Sequence, residues 1–137
     1  MFAKIMLPVD LAHADGLGKS IDMATEIAKS HGASLTLVGV TGTGPSSVAS
    51  TPQAYAEKLN GFATDLAGKS GVSVVAKSIQ DNDVTADLGG VLVDTANDMD
   101  ADLIVMASHV PGMLEHVFAS NAGYVAAHAK CSVAVVR

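Results

Sequence analysis

Short apolar runs alternate with longer stretches whose apolar positions recur every three or four residues, and this alternation organises the chain. Ile5-Met6-Leu7-Pro8-Val9 reads as a first strand that stops at Asp10. From Asp15 to His31 the apolar positions Leu17, Ile21, Ala24 and Ala28 fall on one helical face, and Gly32 supplies the left-handed residue that commonly ends a helix. Leu35-Thr36-Leu37-Val38-Gly39-Val40 is the second strand. Thr41 to Thr51 holds Gly42, Gly44 and Pro45 among Ser and Thr residues and reads as a loop. Pro52 suits the first turn of a second helix, with Tyr55, Leu59, Phe62 and Leu66 on its face and Gly68 and Gly71 marking its end. A third strand lies within Val72 to Ile79, around Val74-Val75, and Gln80 to Asp83 is a turn. The third helix carries Leu88, Val91, Leu92 and Thr95 on one side; Gly89-Gly90 weakens it by ~1 kcal/mol per glycine relative to Ala. Asp102 to Ala107 is a nearly continuous apolar fourth strand. Ser108 to Phe118 is expected to be an irregular loop, Ala119 to Ala129 a short helix, and Ser132 to Val136 a fifth strand.

Five strands alternating with four helical segments imply right-handed crossovers and a parallel sheet covered on both faces. The expected fold class is therefore α/β: one domain over residues 1–137, doubly wound, with a five-stranded parallel sheet. Ligands of such sheets sit outside the carboxyl ends of the strands, where strand order reverses. With the first strand at the centre, Pro8-Val9-Asp10 and Ala107-Ser108-His109 wall that crevice.

Composition narrows the core and the partners. Hydrophobic residues make up 49% of the 137 positions, but aromatics only 4%, so the core must be Val, Leu, Ile, Ala and Met, the usual filling of a buried parallel sheet. Only 16% of residues are charged and the formal net charge is −6, which argues against nucleic acid and anionic membranes as partners. A single cysteine, Cys131, excludes an internal disulfide and fits a reducing compartment. The first apolar run is too short for a signal peptide, and no run approaches the ~18 apolar residues of a membrane span. The expected location is cytoplasmic, with no direct membrane insertion. Asp81, Asp83 and Asp87 read as a solvated turn and not as a calcium loop; no metal site and no catalytic residue are expected.

Four stretches together resemble the universal stress protein family: Lys4-Ile5-Met6-Leu7-Pro8-Val9-Asp10, Ala33 to Val40, Ala101 to His109, and Ala119-Ser120-Asn121-Ala122 running into His128 to Arg137. The likeness spans essentially the whole chain. A subgroup with Ala-Ser-His-Arg-Pro at the fourth strand and Gly-Ser-Asn before the last helix is the most similar. The resemblance implies strand order 3-2-1-4-5, in a fold of the adenine nucleotide α-hydrolase-like kind. It also implies a stress-response or regulatory role that works through nucleotide-dependent conformation or partner binding. The implied ligand is ATP or another adenine nucleotide, with Mg on its phosphates if any metal enters. Family members pair as homodimers through the last strand, here Ser132 to Val136. That strand is apolar at Val133, Val135 and Val136, as a pairing edge would be. Some members accompany solute transporters; nothing in this sequence marks such a partner.

The resemblance maps a ligand set onto Pro8, Val9, Asp10, Val40, Ala107, Ser108, His109, Val110, Ala119, Ser120 and Asn121. Asp10 suits ribose hydroxyls or the adenine amino group, because an ionised carboxylate only accepts hydrogen bonds. Val40 would contribute main-chain groups. Nucleotide-binding members carry Gly-x2-Gly, a spacer, and Gly followed by Ser or Thr, since glycines let the backbone approach phosphate and a helix N-terminus offers free N–H groups. Here the three glycines are Ala107, Val110 and Ala119, Pro111 has no N–H, and the only charge between Pro111 and Asn121 is Glu115. A homodimeric interaction protein with a vestigial, empty site is therefore the competing reading, and a slow ATPase the outermost one.

Plainer roles stand beside these. Asp10 also suits a cap on the turn before the first helix, and Ser120 an N-cap of the last helix. His109 fits a loop residue bonded to backbone as well as a ligand contact, His13 follows Asp10 near the crevice, and His31, His116 and His128 lie at or near helix ends. Cys131 reads as a core residue.

Overall fold

The central strands are buried on both faces, and this explains why their sequences are unbroken apolar runs. In the computed structural model, which describes residues 1–108 and 115–137 (without the side chains of residues 85 and 115–120), the five strands form one parallel sheet in the order β3-β2-β1-β4-β5. The strands are β1 (Lys4–Pro8), β2 (Ser34–Thr41), β3 (Val74–Gln80), β4 (Leu103–Ala107) and β5 (Ser132–Val136). The helices are α1 (Gly18–His31), α2 (Pro52–Ser70), α3 (Val84–Asp98) and α4 (Glu115–His128). Ile5, Met6 and Leu7 of β1 pair with Leu35, Thr36 and Leu37 of β2, while Ile5 and Met6 face Leu103 and Ile104 of β4. Ile5, Met6, Leu7, Leu35, Leu37, Ile104, Val105 and Met106 have no exposed surface and form the middle of the core. The outer strands are only half covered: Val75 in β3 and Val135 in β5 remain exposed.

Right-handed crossovers put α1 and α2 on one face and α3 and α4 on the other, and α3 packs directly on α4. Local chemistry sets the ends. Gly32 (φ 65°) and Gly71 (φ 73°) close α1 and α2 in the left-handed conformation, so a side chain at either would be strained. The Thr51 hydroxyl accepts from the Ala54 N–H at 3.1 Å, with Pro52 at the first helical position. Asp83 accepts from Ala86 N at 3.3 Å to start α3. Gly89 is required by packing: a Cβ there would lie 2.7 Å from the Tyr124 ring of α4.

Three boundaries differ from the sequence reading. The expected helix from Asp15 is divided into a 3₁₀ segment, Leu11–Leu17, and α1, because Asp10 caps a turn that begins at once after β1. Gly68 lies inside α2, whose end is set by Gly71 alone. The last helix starts at Glu115, not Ala119. No proline or glycine interrupts residues 115–122, and an interior serine costs a helix only a fraction of a kcal/mol, so a serine is a poor marker of its start. Residues 115–118 of the expected loop are thus helical.

Candidate functional site

The carboxyl ends of β1 and β2 leave a main-chain edge open. The Val9 N–H donates to the Val38 carbonyl at 2.9 Å, the last bond by which the chain after β1 holds β2. On the other side of β2, the Thr41 carbonyl accepts from the Asp81 N–H at 2.9 Å. The two groups of each strand residue point to one side, and successive residues alternate. Val38 faces β1 and Thr41 faces β3, so Val40 directs both its N–H and its C=O toward β1, beyond the point where β1 has turned away. Val40 itself is half-buried.

Asp10 stands at that turn. Its Oδ1 accepts from the Ala12 N–H at 3.0 Å, and its Oδ2 accepts from Nδ1 of His13 at 3.1 Å. The capping role is therefore realised, at the carboxyl end of β1. Pro8 closes β1 and is buried, as is Val9.

Tyr55, expected as a core residue of α2, reaches the same neighbourhood. Its side chain is buried, and its hydroxyl occupies the space above Gly39 of β2, where a Cβ would lie 2.4 Å from the oxygen. Burial, and secondarily the negative charge of Asp10, push the Tyr55 phenol up to about 12, so it stays protonated. The signal for this arrangement is a glycine in the middle of a buried strand, the mark of a close approach by another group. The loop between β2 and α2 borders the site; Lys58 Nζ donates to the Val48 carbonyl, and Ser46 N donates to Ala49 O at 2.9 Å.

The β4 side is arranged otherwise. Ala107 is buried at the end of β4. The Ser108 N–H donates to the carbonyl of Val136, the last residue of β5, at 2.8 Å, and the Ser108 hydroxyl reaches the same oxygen at 3.3 Å. His109 and Val110 lie outside the described residues. Ala119 and Ser120 lie inside α4, so their N–H groups belong to the helix's own hydrogen bonds. The expectation that Ser120 begins the last helix is corrected accordingly. The Asn121 amide oxygen lies against α3, 3.3 Å from where a Gly89 Cβ would be. His128 stacks on Tyr124 with ring centroids 4.0 Å apart, and His31 packs against Phe2 at 5.3 Å. Burial pushes the Cys131 thiol up, which keeps it a poor nucleophile. No cluster of three or more metal-ligating side chains occurs among the described residues, and no described helix is long and apolar enough to cross a membrane.

A five-stranded parallel sheet whose order reverses between β1 and β4, with helices on both faces, defines a doubly wound α/β fold. The model of the universal stress protein family matches residues 1–137, and the chain belongs to that family. Solved structures agree on the fold. The universal stress protein UspA from Lactobacillus plantarum is similar with a TM-score of 0.73 at 24% identity, over 99% of this chain and 98% of that one. A universal stress protein solved in complex with cAMP gives 0.72 at 20% identity, over 99% and 97% of the two chains. The universal stress protein from Archaeoglobus fulgidus in complex with dAMP gives 0.71 at 20% identity, over 99% and 98%.

Proposed function

We propose that this chain is a regulatory protein that binds an adenine nucleotide in the crevice between β1 and β4 and changes conformation or partners when it does. The observation that carries this reading is the open main-chain edge at Val40 beside the fixed Asp10 carboxylate. One N–H and one C=O from a single residue match the Watson–Crick edge of adenine, which offers a ring acceptor and an amino donor. Asp10 takes the ribose hydroxyls. The relatives solved with cAMP and dAMP support an adenine mononucleotide as the ligand class. In this reading the sugar and phosphates continue past the ends of β1 and β4, at Val9 and Ala107, with Mg on the phosphates if ATP is the ligand.

Hold on the phosphates is shallow in this proposal. The Ser108 N–H is used by Val136, Ser120 lies inside α4, and Asn121 turns to α3. AMP and ADP are therefore expected to bind about as well as ATP. Native mass spectrometry of the purified protein with AMP, ADP and ATP tests this. One nucleotide per protomer is the expected result, lost in the Asp10→Ala variant; no adduct with any of them would defeat the reading.

A second reading, an interaction protein with an empty site, draws on the same losses around the phosphates. Both readings share an expected homodimer through β5, whose outer edge carries exposed Val135. Val135→Lys places a charge on that edge and should give monomers by light scattering; an unchanged mass would count against pairing there.

A further inference from the structure

His13 touches Asp10 in a way that capping alone does not need. The cap is complete once Oδ1 accepts from Ala12 N at 3.0 Å. The second contact, His13 Nδ1 to Oδ2 at 3.1 Å, acts on the other oxygen. A carboxylate only accepts, so Nδ1 carries the proton and donates. The backbone accommodates this: the helical course breaks at His13 (φ −130°, ψ 30°), although its N–H still closes the turn on the Asp10 carbonyl at 3.0 Å. Neither group is sealed away, the side chains of His13 and Asp10 keeping 35% and 31% of their exposure.

The physical consequence lies in a torsion. The last torsion of an aspartate is broad and nearly two-fold, so a single bond to one oxygen leaves the carboxylate plane free to rock. A bond to each oxygen fixes the plane. Each oxygen then keeps acceptor capacity for a ligand while its orientation is set by the turn. A cis-diol presents two adjacent donors. Tyr55, buried above Gly39, limits the carboxylate's surroundings on the α2 side and stays a neutral phenol there.

We propose that His13 is a positioning residue for ribose recognition, locking the Asp10 carboxylate so that its remaining acceptor capacity meets the 2′- and 3′-hydroxyls of a bound adenosine. This rests on the adenine-nucleotide reading above and adds to it the residue that fixes the carboxylate against the sugar hydroxyls. Its contribution is preorganisation: the ordering of the carboxylate is completed before the ligand arrives.

The test compares adenosine with 2′,3′-dideoxyadenosine by calorimetry on the wild-type protein and on His13→Ala, His13→Asn and His13→Phe, with a melting curve for each. The ratio of the two dissociation constants isolates the diol. In the wild type it should be about tenfold or more, as expected for hydrogen bonds to a charged group. His13→Ala should cut the ratio to about threefold or less while changing dideoxyadenosine binding less than about twofold. His13→Asn, which keeps a side-chain N–H donor, should restore most of it. Should His13→Ala not melt cooperatively, His13→Phe, which keeps ring bulk without a donor, is read in its place. An unchanged ratio in the donor-less variants, or equal weakening of both nucleosides, overturns the role of His13 and leaves the adenine reading standing. Failure of the wild type to bind either nucleoside overturns both.

Discussion

At the ends of β1 and β2 a main-chain edge passes the last strand bond beside a fixed carboxylate, whereas at the ends of β4 and β5 the described backbone donors are used inside the fold. Val40 directs its N–H and C=O past the end of β1, and Asp10 is fixed by two bonds from its own turn. Across the crevice, the Ser108 N–H goes to Val136, and Ala119 and Ser120 lie within α4. A polar group can recognise a ligand only if the fold has not already satisfied it. The loss of phosphate-loop glycines is thus one part of a wider asymmetry, in which the described backbone donors near β4, Ser108 and those of Ala119 and Ser120, serve the sheet and the helix.

That comparison can be broken from either side. The largest effect is expected at Asp10. Asp10→Ala removes a charged acceptor and should weaken adenosine and AMP alike by about 10- to 100-fold, from ~1.5–3 kcal/mol for hydrogen bonds to a charged group. It should also lower stability by ~1 kcal/mol through the lost cap, visible in a denaturant titration. Equal affinity in the variant would remove the base–ribose half from the account.

Next comes Tyr55. Its phenol is raised to about 12 in the folded protein against 10.0 for the free group. The folded state thus holds this proton more tightly than the unfolded one. The associated stability is fully present below pH 10 and is lost as pH rises toward 12. A decline on the order of 1–2 kcal/mol over that window, absent in Tyr55→Phe, is expected from urea titrations at each pH. Identical slopes in the two proteins would mean that the phenol is not held in a buried, negatively charged setting.

Gly39→Ala attacks the same half through packing. The added Cβ would lie 2.4 Å from the Tyr55 hydroxyl, so the ring must move; a loss of about 1–2 kcal/mol and weaker adenosine binding are expected. Unchanged stability and affinity would show that Tyr55 is not confined by Gly39. The smallest effect is expected on the other side. Ser120→Ala should change ATP affinity by less than about twofold, well under the tenfold that 1.4 kcal/mol gives. A tenfold loss by calorimetry would show that the phosphate half still works.

Much of this molecule was legible in its sequence, for physical reasons that also explain the gaps. The strands Ile5–Val9, Leu35–Val40 and Asp102–Ala107 stand out because burial on both faces leaves them nearly continuous apolar runs, with few polar positions to suggest a helical face. Pro52, Gly32 and Gly71 marked ends because each suits a backbone conformation found there. The start of α4 is not legible at Ser120 because a serine inside a helix costs only a fraction of a kcal/mol, and residues 115–118 hold no breaker. Asp10 was identified as a site residue, but its bond to His13 depends on a backbone break at His13 that no periodicity reports. Tyr55 was read as a core residue of α2, and it is one; what the pattern could not convey is that its hydroxyl end reaches Gly39. The Asp-x2-His spacing beyond a strand end and a lone glycine inside a buried strand are the signals to look for.

The central claim is that the base–ribose half does the binding. Calorimetric titration of the wild-type protein with adenosine, AMP and ATP, in the presence of Mg, tests it most directly. The account predicts three dissociation constants within about tenfold of one another, a spread of ~1.4 kcal/mol. ATP bound more than about a hundredfold tighter than adenosine would contradict it, because the phosphates would then supply the larger share of the affinity.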